Sequence, residues 1–112
     1  TVLRGRAVAG DMVALSRDLT IRVIVGEALR VGEEVELAIR PERVSLAAGP
    51  AEGTAEARIE GLVYQGSMTE LTTRLGDGQR VLVFVTEPAP IPLAPGQVVH
   101  LRLPADAFMV LA

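Results

Sequence analysis

Few side chains in this sequence have the type and spacing that chemistry requires. His100 is the single histidine, so neither a histidine cluster for a transition metal nor a paired imidazole base is available. In the alternating run Val99-His100-Leu101 it falls on the face opposite the apolar residues, which predicts a solvated strand histidine, with a proton switch as the functional alternative. Glu33, Glu34 and Glu36 supply carboxylates, but without calcium-loop spacing. Glu34 and Glu36 share one strand face and Glu33 sits in the preceding turn, so a solvated charged face is expected. A phosphate-binding loop needs a lysine after its glycines, and all 11 basic residues are arginine. There is no cysteine, which excludes disulfides, thiolate metal sites and thiol catalysis.

Two short segments remain as candidates. In Arg40-Pro41-Glu42-Arg43, Pro41 presets φ for a turn. The three charges around it could form a compact network that anchors this region against a neighbouring domain or subunit. The alternative is a strand-ending turn with solvated charges, where an exposed ion pair contributes roughly 0 to 1 kcal/mol. In Tyr64-Gln65-Gly66-Ser67, Gly66 permits close backbone approach and Ser67 can donate or accept, so the segment could line a small ligand pocket. The alternative is a bend or bulge that re-aims a strand.

The elements that would carry these residues are strands. Leu19, Ile21, Val23 and Val25 alternate with Thr20 and Arg22; Val35, Leu37 and Ile39 alternate with Glu34, Glu36, Ala38 and Arg40; Leu71, Thr73 and Leu75 alternate with Glu70, Thr72 and Arg74. Gly76-Asp77-Gly78-Gln79 reads as the turn of an antiparallel hairpin. Gly32 interrupts the only loosely helical spacing, Gly26 to Leu37, which is therefore read as turn followed by strand, with a short helical turn possible near Pro41.

The run 47–54 has small, turn-forming residues and no apolar period, and reads as a linker between a first half, 1–46, and a second half, 55–112. The halves resemble one another. Arg4-Gly5-Arg6-Ala7-Val8 has a counterpart in Arg58 to Val63, and the segment Gly32 to Glu42 aligns with Gly96 to Asp106, its prolines offset by one position. Units of roughly fifty residues bury too little to fold well alone, which predicts small all-β barrels packed together or paired with a second copy.

Composition narrows the classes further. The chain has 112 residues, 49% of them apolar, and a net charge of -3, which favours a globular core over disorder. The arginines are scattered among 14 carboxylates and only Tyr64, Phe84 and Phe108 could stack on bases, so nucleic acid is not an expected partner. The longest aliphatic or aromatic run, Val81 to Val85, is far shorter than the roughly 20 residues of a membrane-spanning helix, so no direct membrane insertion is expected.

Ala38-Ile39-Arg40-Pro41-Glu42-Arg43-Val44-Ser45-Leu46 resembles the Ile/Val-Arg-Pro-Glu signature that follows the nucleotide-binding domain in ATPase subunits of ABC importers. Gly61 to Ser67, Asp77-Gly78-Gln79, Ala94 to Val99 and Phe108 to Leu111 are similar to the TOBE (transport-associated OB) repeat of the polyamine, iron, sulfate and sugar importers. Thr1 departs from the Asn that usually opens this region. The resemblance implies an all-β, OB-fold-like or MOP-like architecture of small barrels from two repeated halves packed together. It implies a non-catalytic regulatory and dimerising role, with ATP and Mg on a separate ATPase domain and no cofactor in this chain. The implied partners are that ATPase domain, a second copy of the subunit in a homodimer, and an ABC permease, which places the protein in the cytoplasm, peripheral to the inner face of the membrane. The Tyr64-x-Gly66-Ser67 pattern points to polyamine or iron import. The alternative function is a stand-alone molybdate- or tungstate-binding module, although the Ser/Thr-Ala-Arg-Asn type of opening found in those binders is missing.

Overall fold

The computed structural model describes residues 2–111 and contains ten strands and two short 3-10 turns. In chain order the strands are β1 (Val2–Ala9), β2 (Met12–Ser16), β3 (Leu19–Arg22), β4 (Glu34–Ile39), β5 (Ser45–Ala47), β6 (Thr54–Tyr64), β7 (Met68–Leu75), β8 (Arg80–Thr86), β9 (Val98–Arg102) and β10 (Phe108–Leu111). The 3-10 turns, Pro41–Arg43 and Ala105–Ala107, follow β4 and β9. The all-β, OB-like expectation holds, and so does the helical turn at Pro41, which occupies the first position, where its missing N–H costs nothing.

The strands form two five-stranded antiparallel sheets with the same internal order, β10-β4-β1-β2-β3 and β5-β9-β6-β7-β8. The expected linker is shorter than 47–54, since Ala47 ends β5 and Thr54 begins β6, and each sheet takes one strand from across the intervening 48–53 segment. β5 pairs with β9, through Leu46 opposite Leu101, and β10 pairs with β4, through Val110 opposite Leu37. The sheets therefore divide differently from the sequence halves: residues 45–47 belong with the second half and residues 108–111 with the first. β8 packs against β5 and the Pro41–Arg43 turn, and the two 3-10 turns pack against each other. One continuous apolar cluster runs through both sheets, with Leu3, Leu37, Val13 and Phe108 on one side and Ile59, Leu71, Val83 and Leu101 on the other, all essentially excluded from water.

Matching hydrogen bonds recur in the two halves. Ala7 N–H donates to Glu33 O at 2.9 Å and Gly32 N–H to Ala7 O at 2.8 Å; Ile59 N–H donates to Gln97 O at 2.9 Å and Gly96 N–H to Ile59 O at 2.7 Å. Gly32 and Gly96 take φ of 90° and 84°, a region that glycine enters without a Cβ penalty. The Nη1 of Arg6 donates to Gly32 O at 2.7 Å, and the Nη1 of Arg58 to Gly96 O at 2.6 Å. The repeat thus sets Arg6, and not Arg4, opposite Arg58. This shifts by two the resemblance read along β1, whereas the Gly32-to-Gly96 match keeps its register: Leu3 opposite Leu37 corresponds to Ala55 opposite Leu101.

The turn at Gly76 to Gln79 forms the β7–β8 hairpin, with Gly78 at φ 91° and Leu75 N–H donating to Gln79 O at 2.8 Å. The tip of that hairpin joins the two halves. The Gln79 side-chain oxygen accepts from Arg4 N–H at 2.6 Å, and its Nε2 donates to Arg4 O at 2.9 Å, so one amide side chain pairs with β1 as a neighbouring strand would.

Candidate interaction sites

The Arg40-Pro41-Glu42-Arg43 segment lies where the halves exchange strands. Arg40 precedes the first 3-10 turn in extended conformation, and its backbone N–H donates to Ala107 O at 2.7 Å. Its Nη1 donates to Asp106 O at 3.0 Å, while the Nη1 of Arg43 lies 3.5 Å from Asp106 Oδ2. Both arginines are thus anchored to the second 3-10 turn of their own chain. Glu42 is exposed and, among the described residues, forms no ion pair with them. Arg40 and Arg43 thus form an internal clasp on the turn that holds Asp106, with Glu42 outside it. The repeat match aligns Asp106 near Glu42, but a contact across 66 positions leaves no local signal in the sequence.

Tyr64 to Ser67 closes the long β6–β7 hairpin at the end remote from Gly76 in the strand direction. Gln65 N–H donates to Met68 O at 2.8 Å, Gly66 takes φ 74°, and Ser67 O accepts from Glu87 N–H at 2.8 Å. All four residues are exposed, Tyr64 to 72%, so the segment is a turn bordering a shallow hollow against Glu87 and Ala89 to Leu93. No hydrogen bond or ion pair joins it to Arg40–Arg43 among the described residues.

The outer face of the second sheet carries the densest charge. Arg58, Arg74 and Arg80 lie side by side across β6, β7 and β8, and Glu60 binds two of them: Arg74 Nε at 2.7 Å and Arg80 Nε at 3.2 Å. The hydrogen bond from Arg74, helped by the positive charge of Arg74 and Arg80, holds the Glu60 carboxyl below its ordinary value of 4.5 against a smaller opposing effect of partial desolvation. His100 lies half-buried on the outer face of β9, and Glu34 and Glu36 point to solvent from β4, as the alternation predicts. Among the described residues no group of three or more His, Asp or Glu side chains is placed to hold a metal ion, and no helix is long and apolar enough to cross a membrane. The polar contacts described are clasps within the chain, and the remaining charges lie on exposed faces.

The chain is 35% identical over 109 residues to the sulfate/thiosulfate import ATP-binding protein CysA 2 of Chromobacterium violaceum, a match covering 91% of this chain and 27% of that protein. It is 41% identical over 54 residues to the spermidine/putrescine import ATP-binding protein PotA of Pseudomonas fluorescens, covering 48% of this chain and 14% of that one. The chain thus spans about a quarter or less of the length of these relatives. In fold it is similar to the cytoplasmic molybdate-binding protein ModG, with a TM-score of 0.81 at 17% identity over 98% of this chain and 94% of that one. The profile of the TOBE domain matches residues 37–111, and the chain belongs to that family.

Proposed function

We propose that this chain is the non-catalytic regulatory and dimerising module of the ATP-binding subunit of an ABC importer. The observation that carries the reading is the match to an import ATP-binding protein along nearly the whole chain, together with the TOBE family assignment. The work is mechanical. A second contact between two subunits keeps their ATPase domains at high effective concentration while the ATP interface opens and closes. ATP and Mg are handled by the ATPase domain, and the complex sits at the cytoplasmic face of the membrane through its permease. The Tyr64-x-Gly66-Ser67 pattern favours polyamines or iron as cargo, while the two relatives carry spermidine/putrescine and sulfate/thiosulfate in their names.

The test compares the full-length subunit with a version lacking this module. The intact subunit is expected to stay dimeric without nucleotide, and the truncated one to bind ATP yet sediment as a monomer. A full-length gene product without nucleotide binding, or ATP hydrolysis by the 112-residue chain alone, would overturn the proposal.

A second reading, an oxyanion-binding module, is favoured by the ModG-like fold. Calorimetry of the chain with molybdate, tungstate and sulfate separates the two readings: heat at micromolar ligand supports oxyanion binding, and none at millimolar ligand refutes it.

A further inference from the structure

The two halves serve as controls for one another, because the strands share one order and many paired positions in one have a counterpart in the other. On the outer face of the first sheet, Val2, Ala38 and Met109 form one row across β1, β4 and β10. The corresponding row of the second sheet, across β6, β9 and β5, is Thr54, Arg102 and Ser45. In the next row the edge strands differ in size, with Leu111 opposite Glu36 in the first sheet and the smaller Ala47 opposite His100 in the second. Val2, Met109 and Leu111 are exposed to 48%, 45% and 38%, with half-buried Ala38 between them. The fold builds this row from polar side chains in one half, so it does not need apolar ones in the other. Contiguous exposed apolar side chains are a feature of surfaces that become covered.

We infer that this Val2–Ala38–Met109–Leu111 face is the docking surface for the ATPase domain of the same polypeptide, an inference that rests on the function proposed above. Two observations select that occupant. Val2 and Leu111, at the two ends of the described chain, both lie on this face, so polypeptide attached at either end leaves from its margin. The matched relatives have most of their length outside the region they share with this chain, so a body large enough to cover the face is tethered at its edge. The border is charged with both signs, Arg4 beside Glu36 on the inner strands and Arg40 just past the end of β4, giving an apolar centre with a polar rim.

Methionine oxidation reads this face directly, since Met109 belongs to it while Met12 and Met68 lie half-buried elsewhere and serve as references. The full-length protein and the dilute 112-residue chain are treated with hydrogen peroxide and analysed by peptide mass spectrometry, with ATP binding measured on the same full-length sample. Oxidation of Met109 is expected to slow about tenfold in the full-length protein, because reaction requires access to the thioether. Ala38→Arg installs the residue that the second half carries at this position, and in the full-length protein it is expected to restore the fast rate. Fast oxidation of Met109 in a full-length protein that binds ATP overturns the docking face and leaves the proposed function intact. A full-length protein that binds no ATP overturns that function instead. Protection that arises in the isolated chain as its concentration is raised assigns the face to a second copy and overturns the choice of occupant.

Discussion

The first and second sheets share one frame and differ in what they add to it. Both set an arginine on a glycine carbonyl, Arg6 on Gly32 and Arg58 on Gly96, and both end their fourth strand in a 3-10 turn that sends the next strand to the other sheet. The hairpins differ: β6 and β7 run 11 and 8 residues where β1 and β2 run 8 and 5. The outer rows differ as well, apolar Val2-Ala38-Met109 against polar Thr54-Arg102-Ser45, and the second sheet carries the Arg58-Arg74-Arg80 row, in which Glu60 clasps Arg74 and Arg80. What recurs holds the strands in register, and what varies includes the side chains that face outward.

If the frame is shared, damage to either half must act on the whole. Leu37→Ala and Leu101→Ala remove equivalent fully buried side chains, and each is expected to cost about 2–5 kcal/mol in denaturant unfolding. Each is also expected to keep a single transition seen alike by different probes. Two separated transitions in either variant would show that the halves fold independently.

A smaller effect separates the halves. A Cβ at Gly5 would lie 2.5 Å from Ala14 O and 2.6 Å from Val13 Cγ1, whereas the equivalent position in the second sheet holds Ala57. Gly5→Ala is expected to cost about 1–3 kcal/mol through overpacking. An unchanged Tm in that variant would show that β1 and β2 can move apart freely.

The smallest effect concerns the clasp found only in the second sheet. The folded pKa of Glu60 lies below its unfolded value, so its stabilising contribution is present above the unfolded pKa and fades as pH falls through the folded one. Glu60→Gln is expected to lower the Tm slightly at pH 7 and by less at pH 3, and equal shifts at the two pH values would show that the pairing with Arg74 and Arg80 is inconsequential.

Much of this frame is legible in the sequence because it is local. Alternation in 19–25, 34–40 and 70–75 depends on neighbouring residues, the Gly76–Gln79 turn on its glycines, and the Gly32 and Gly96 turns on a positive φ that both repeats need. β3 ends at Arg22 although the alternation continues to Val25; buried Val23 keeps the inward direction, but its N–H bonds Asp11 O as β2 begins at Met12 and provides no longer partner. The exchange of β5 and β10, the clasp of Arg40 and Arg43 on the Asp106 turn, and the Gln79 amide on β1 are contacts between distant residues, set by the packing of the two sheets. The turn at Pro41 and the bend at Gly66 are legible in the sequence, whereas the reach of Arg40 and Arg43 to the Asp106 turn is not.

The interlocking of the halves is tested most directly by cutting the chain between residues 50 and 51. Produced separately, the pieces 1–50 and 51–112 each lack a strand that their sheet requires, since β10 and β5 lie on the other piece. Each alone is expected to give the collapsed amide NMR spectrum of an unfolded chain, and an equimolar mixture the dispersed spectrum of the intact protein. A dispersed spectrum and cooperative melting from 51–112 alone would contradict the exchange.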